Sequence, residues 1–192
     1  MRTLLSVLTL SLLSAAGVLA GPVASVQPGT LAGTPGATVG WGFTFTNTSD
    51  FALITSTQFC VGSSGIGTPC ALSPLGTYTD FTGFNFVVAG PAPESTSVTQ
   101  SFDAGALTGT GSFAISPAIL GGGSSGQIVF TYDLFSVSPN DPSFDPDFDT
   151  ISVDNQVAAP ASLSVQTVPE PAAFLLAAPA LALLALLRRR RA

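Results

Sequence analysis

Trp41, Phe43 and Phe45 alternate with Gly42, Thr44 and Thr46, and a period of two recurs along much of the chain. Successive side chains of a strand point to opposite faces, so this pattern gives one aromatic face and one polar face. A helix needs apolar residues three and four apart, and residues 21–167 contain no convincing amphipathic helix. The chain is therefore restricted to packed sheets. Further strands are expected over residues 51–61, over Phe84, Phe86 and Val88 (stopped by Gly90-Pro91), over residues 96–102, over residues 111–115, over residues 127–137, over residues 151–153 and over residues 162–167. In the 127–137 run, Ile128, Phe130, Tyr132 and Leu134 line one face while Val129 and Phe135 occupy the other. Apolar residues on both faces predict a central strand. Asn47-Thr48-Ser49-Asp50 reads as a turn. The run of Gly and Ser over residues 121–126 reads as a flexible loop, because it lacks the helix and lysine of a phosphate cradle.

Seven or eight short strands at this spacing predict an all-β fold, an antiparallel β-sandwich of Ig-like or fibronectin-like type, with a jelly roll as the alternative. The sandwich is expected over residues 37–167, a length that buries about two-thirds of the unfolded-chain surface. Residues 21–36, rich in Pro, Gly and Ala, read as a lead-in with one edge strand at residues 23–26.

Charge narrows the chemistry. All five basic residues are terminal: Arg2 and Arg188 to Arg191. Of the 11 acids, only Glu170 lies outside residues 21–167, which leaves 11 − 1 = 10 there against no Lys, Arg or His, a formal charge of −10. Such a domain has no cations to replace phosphate counterions, so nucleic acid is excluded as a partner. It has no Arg or Lys to clamp an anionic substrate. It has no His or Lys to activate one of its many serines. No catalytic, cofactor-binding or metal-ligating residue is assigned, and the chain is read as non-enzymatic.

Three features are candidate sites. Asp141, Asp145, Asp147 and Asp149 fall within nine residues together with Pro142 and Pro146. This reads as a solvated acidic loop, with a weak calcium loop as the alternative; the EF-hand Gly and closing Glu are missing. Clustering on one turn also disfavours a carboxylate-pair glycosidase. Trp41 and Tyr78 are candidate sugar-stacking rings, although the register of Trp41 favours the core. Cys60 and Cys70 are the only cysteines, and an even count in an exported chain predicts a disulfide.

Both ends carry targeting features. Arg2, an apolar run over residues 4–13 and small residues up to Ala20 read as a signal peptide over residues 1–20, with cleavage after Ala16 as the runner-up. These ends inflate the mean hydropathy of +0.53. Near the C-terminus, Val168, Pro169, Glu170 and Pro171 form a rigid, extended stretch, because proline fixes its own φ and biases its predecessor away from helix. The apolar span over residues 172–187, interrupted by Pro179, predicts a transmembrane helix of about 24 Å, short against a ~30 Å hydrocarbon core. Arg188, Arg189, Arg190 and Arg191 would hold the C-terminus in the cytoplasm with the domain outside.

The order Pro-Glu-Pro, short apolar helix, arginine cluster over residues 168–192 resembles the PEP-CTERM sorting signal of Gram-negative bacteria that make extracellular polysaccharide. The resemblance implies recognition at Val168, Pro169, Glu170 and Pro171 by exosortase, an integral membrane protease-transpeptidase, a transient hold in the inner membrane, and removal of the tail. Residues 40–48 and 131–136 also resemble stretches of uncharacterised PEP-CTERM proteins, and no activity comes with that. The expectation is an exported cell-surface or matrix protein associated with exopolysaccharide or biofilm. The alternative is a carbohydrate-binding or adhesive module, calcium-assisted or not.

Overall fold

The computed structural model describes residues 21–167. The expected signal peptide, the sorting residues 168–171 and 188–191 and the expected transmembrane helix lie outside the described residues. Ten strands appear among the described residues: β1 (Val23–Gln27), β2 (Thr30–Gly33), β3 (Thr38–Thr46), β4 (Phe51–Val61), β5 (Gly76–Asp80), β6 (Val87–Ala89), β7 (Ser97–Gln100), β8 (Gly111–Ile115), β9 (Gly122–Phe135) and β10 (Thr150–Val165). A short helix, α1 (Pro146–Asp149), and a 3-10 turn (Thr82–Phe84) complete the order. No helix among the described residues is long and apolar enough to cross a membrane.

The strands form two sheets. One runs β1-β3-β8-β5, with β7 also paired to β3; the other runs β2-β10-β9-β4-β6. Their inner faces meet through the aromatic residues that set the sequence period. The ring of Phe130 lies 5.6 Å from that of Phe43 and 6.0 Å from that of Phe45. Trp41 lies 5.1 Å from Phe59, which meets Phe113 edge-on at 5.9 Å. All six side chains are essentially solvent-free. The fold is an all-β sandwich, with β9 central in its sheet as its two apolar faces predict.

Several expectations are corrected. The lead-in belongs to the sandwich: β1 pairs with β3 in one sheet and β2 with β10 in the other. The β2–β10 pairing is parallel, so the second sheet is mixed rather than purely antiparallel. Residues 122–126 are strand, not loop; they extend β9 because Ala161–Val165 of β10 offers a partner along their whole length. Residues 151–153 and 162–165 belong to one strand, β10, which runs through Pro160 and ends at Val165, two residues short of the expected end. Phe84 and Phe86 do not alternate into the core; Phe84 ends the 3-10 turn, and the two are 73% and 63% exposed. β5 was not anticipated.

A bulge in β4 between Ile54 and Ser56 resets which side chains face inward. Ala52 and Ile54 point to the core before it, and Thr57 and Phe59 after it. An inserted residue shifts strand parity by one, and here it turns a threonine into the interior.

The outer face of the second sheet is covered at both ends. Cys60 and Cys70 form the expected disulfide. The loop it closes lies over β9, with Gly65 (φ +101°) against Cys60 and Val129, and with Gln127 Nε2 donating to the Ser64 carbonyl at 3.0 Å. At the other end Phe51, Val88 and Phe135 form a small second core. Phe144 from the acidic loop caps it, its ring 5.1 Å from that of Phe135.

Candidate functional site

The acidic loop does not gather its carboxylates. Asp141 Oδ1 accepts from the Ser143 N–H at 2.8 Å and from its hydroxyl at 2.7 Å. Asp145 Oδ1 caps α1 by accepting from the Asp147 N–H at 3.0 Å. Asp149 Oδ2 accepts from the Asp145 N–H at 2.8 Å. Each of these three carboxylates thus stabilises a turn or helix start. Among the described residues no three acidic, Cys or His side chains are placed to hold a metal. Hydrogen bonds from Ser143 keep the Asp141 carboxyl below its ordinary pKa.

Glu94 ties that region to the turn after β6. Its Oε1 accepts from the Ser138 hydroxyl at 2.6 Å and from Asn140 Nδ2 at 3.0 Å. Both bonds favour the ionised form and lower the carboxyl pKa.

Neither aromatic candidate is an exposed ring: Trp41 is fully buried and Tyr78 is half-buried at the edge of a cleft. Trp41 is core, and its Nε1 has no partner among the described residues. Tyr78 turns inward from β5 with its ring 6.4 Å from Trp41. The exposed rings are instead Phe84, Phe86 and Phe148. Asn47 is buried, donating from Nδ2 to the Asp50 carbonyl at 2.7 Å, so the Asn47-Thr48-Ser49 sequence serves a turn.

Where the sandwich opens between β4 and β5, polar groups do converge. The Thr57 hydroxyl lies 2.6 Å from Asp80 Oδ1, 2.9 Å from the Tyr78 hydroxyl, and against the Thr110 carbonyl. It has one proton, which goes to one of the two pure acceptors, so Tyr78 donates to Thr57. Asp80 Oδ1 also accepts from the Thr82 N–H at 2.9 Å and hydroxyl at 2.7 Å. Burial raises the Tyr78 pKa well above that of a free tyrosine. The cluster sits beside a cleft of about 460 Å3, with Leu72 exposed at its mouth. Residues 21–167 supply it no Lys, Arg or His. The sequence hint to it is the polar run Thr55-Ser56-Thr57-Gln58 inside an otherwise apolar strand.

No family model matches the chain, and no curated protein matches it.

Proposed function

We propose that the chain is an exported, non-enzymatic cell-surface or extracellular-matrix protein handled through a PEP-CTERM signal. In this reading an exosortase-type membrane protease recognises Val168, Pro169, Glu170 and Pro171. Residues 172–187 hold the precursor transiently in the inner membrane, and Arg188 to Arg191 stop its transfer. The mature domain then serves at the surface with exopolysaccharide or biofilm. The observation that carries the reading is the combination of an export-type N-terminus with that C-terminal order in one chain. The Cys60–Cys70 disulfide supports an oxidising destination. Fractionating cells that express the chain with and without residues 168–192 tests it. The full chain is expected at the surface or in the medium and the truncated one in the periplasm; identical distribution of the two would rule the signal out.

The finer fold in this reading is Ig-like. What supports it is strand order: β1-β3-β8-β5 follows the A-B-E-D sheet and β10-β9-β4-β6 follows G-F-C-C′. β5 precedes β6 in the chain, which departs from that pattern.

A second reading, a carbohydrate-binding or adhesive module, is favoured by the solvent-facing rings of Phe84 and Phe86 beside a groove along Leu53 and Ile54. A glycan array run with and without calcium tests it. Retention that is lost in Phe84→Ala and Phe86→Ala supports it, and no retention on any glycan removes it.

A further inference from the structure

We propose that the uncharged end of the sandwich, tipped by Leu120, seats on the lipid surface of the membrane while the precursor is tethered there, with the acidic end pointing away. This rests on the reading of residues 172–187 as a membrane segment.

β9 runs the length of the sandwich and marks its two ends. At one end Phe135 pairs with Phe51 of β4 and Thr150 of β10; at the other Gly122 pairs with Val165 of β10. The 14 residues of β9 set these ends about 43 Å apart at ~3.3 Å per residue. The chain leaves the fold at the Gly122 end. There the Gln166 N–H donates to the Gly33 carbonyl at 2.8 Å, and a Thr167 methyl lies against Gly121. From Thr167 to residue 172 an extended chain reaches at most about 18 Å. The headgroup layer takes up about 5–7 Å of that reach. The tether therefore holds the Gly122 end at the bilayer, and the Phe135 end cannot take its place.

The end beside the tether carries no charge. It is built from the turn at residues 34–37, the segment 71–75, the turn at residues 116–121 and residues 166–167. These pieces are tied together: the Ser116 N–H donates to the Leu75 carbonyl at 2.9 Å, and the Gly36 N–H to the Ile115 carbonyl at 3.1 Å. Ile119 packs against the core, while Leu120 next to it is 86% exposed. An apolar side chain thus stands on a braced turn, adjacent to the point where the chain departs toward the membrane segment.

The acids gather at the other end. Asp50 follows β3, Asp133 lies opposite Leu53, and Asp133 Oδ1 accepts from the Asp154 N–H at 2.9 Å. Glu94 is bonded to Ser138 and Asn140, and the acidic loop joins β9 to β10. Asp80 and Asp103 lie between the ends, along the first sheet. The acidic end also exposes Phe148, Ile151 and Val153. Phe148 is flanked by Asp147 and Asp149, however, and Val153 by Asp154, so seating them in lipid would strip water from carboxylates. Leu120 has no such neighbour. Its side chain suits the headgroup–acyl boundary, about 5–10 Å deep. Seated in this way, the domain keeps Val168 to Pro171 at the lipid surface, where a membrane-embedded protease works.

The chain has one tryptophan, Trp41, and it is core, so an indole introduced by Leu120→Trp reports on the tip. The full chain, exported by a host without the matching protease, is reconstituted into phosphatidylcholine vesicles brominated in the upper acyl chain. Relative to unbrominated vesicles, Leu120→Trp is expected to lose clearly more emission than the parent protein. Phe148→Trp, at the acidic end, should lose no more than the parent. No extra quenching of Leu120→Trp in protein that floats with the vesicles overturns the seating and leaves the membrane segment standing. Failure to float overturns both. Equal quenching of the two variants would mean that the sandwich lies on its side. A blue shift of Leu120→Trp without quenching would mean that a second copy covers the tip. Either result overturns the proposal.

Discussion

The hydroxyl of Thr57 on β4 lies 2.6 Å from Oδ1 of Asp80 on β5, so a charge-assisted hydrogen bond crosses between the two sheets where the sandwich is open. Thr57→Val keeps the shape but leaves Asp80 and Tyr78 without that partner. A loss of about 1–3 kcal/mol is expected in denaturant unfolding, the contribution of a hydrogen bond to a charged group, since Asp80 keeps its bonds from Thr82. Thr57→Ser keeps the hydroxyl and should lose distinctly less. Equal stability of Thr57→Val and the parent protein would show that the bond is incidental.

The chain has two tyrosines, and burial raises the pKa of both Tyr78 and Tyr132. A tyrosine with a raised pKa stays protonated in the fold at pH values where the unfolded chain has already lost its proton. The associated stability is complete below about pH 10 and is lost as pH rises above it. Tyrosinate absorbance should therefore rise at higher pH than that of free tyrosine, with Tyr78 the later of the two. A free-tyrosine titration curve in the folded protein would contradict this.

Glu94 gives the opposite dependence. Its pKa is lowered in the fold, so its contribution is present above the ordinary glutamate range and is lost as pH falls through the folded value. Glu94→Gln should lower the melting temperature near neutral pH, and the difference from the parent protein should shrink as pH falls below about 4. A difference independent of pH would remove the carboxylate from the account.

The parts of the fold that were legible in the sequence are those where one face is buried without interruption. Trp41, Phe43 and Phe45 keep strict alternation over β3 and all point to the core. Ile128, Phe130 and Tyr132 do the same along β9, and the apolar residues on its other face found their own covers. What escaped depended on partners distant in sequence. Residues 122–126 have no intrinsic strand preference and are held by Ala161–Val165. Phe84 and Phe86 mimic a strand but follow a turn. The Thr57 cluster stayed hidden because the bulge at Ile54/Ser56 inverts parity, so a position that counts as outward lies inward. The proposed sorting signal is purely local in sequence, and its residues lie outside the described ones.

The disulfide closes a loop over the outer face of the second sheet. Replacing Cys60 and Cys70 together by Ser should cost about 2–3 kcal/mol by the chain-entropy estimate for so short a loop. Gly65→Ala is a second probe of the same cover. A Cβ there would lie 2.6 Å from Cys60 Sγ and 2.8 Å from a Val129 methyl, at a φ of +101°. Loss of about 1 kcal/mol or more is expected in thermal unfolding, since alanine is strained at that φ. No change in either variant would mean that the loop is not packed as described.

The mass of the mature C-terminus tests the central claim most directly. Protein recovered from the surface or medium of a Gram-negative host carrying the matching membrane protease should end at or near Pro171 and lack the arginines Arg188 to Arg191. Recovery of the intact chain, ending at Ala192, from the same fraction would contradict it.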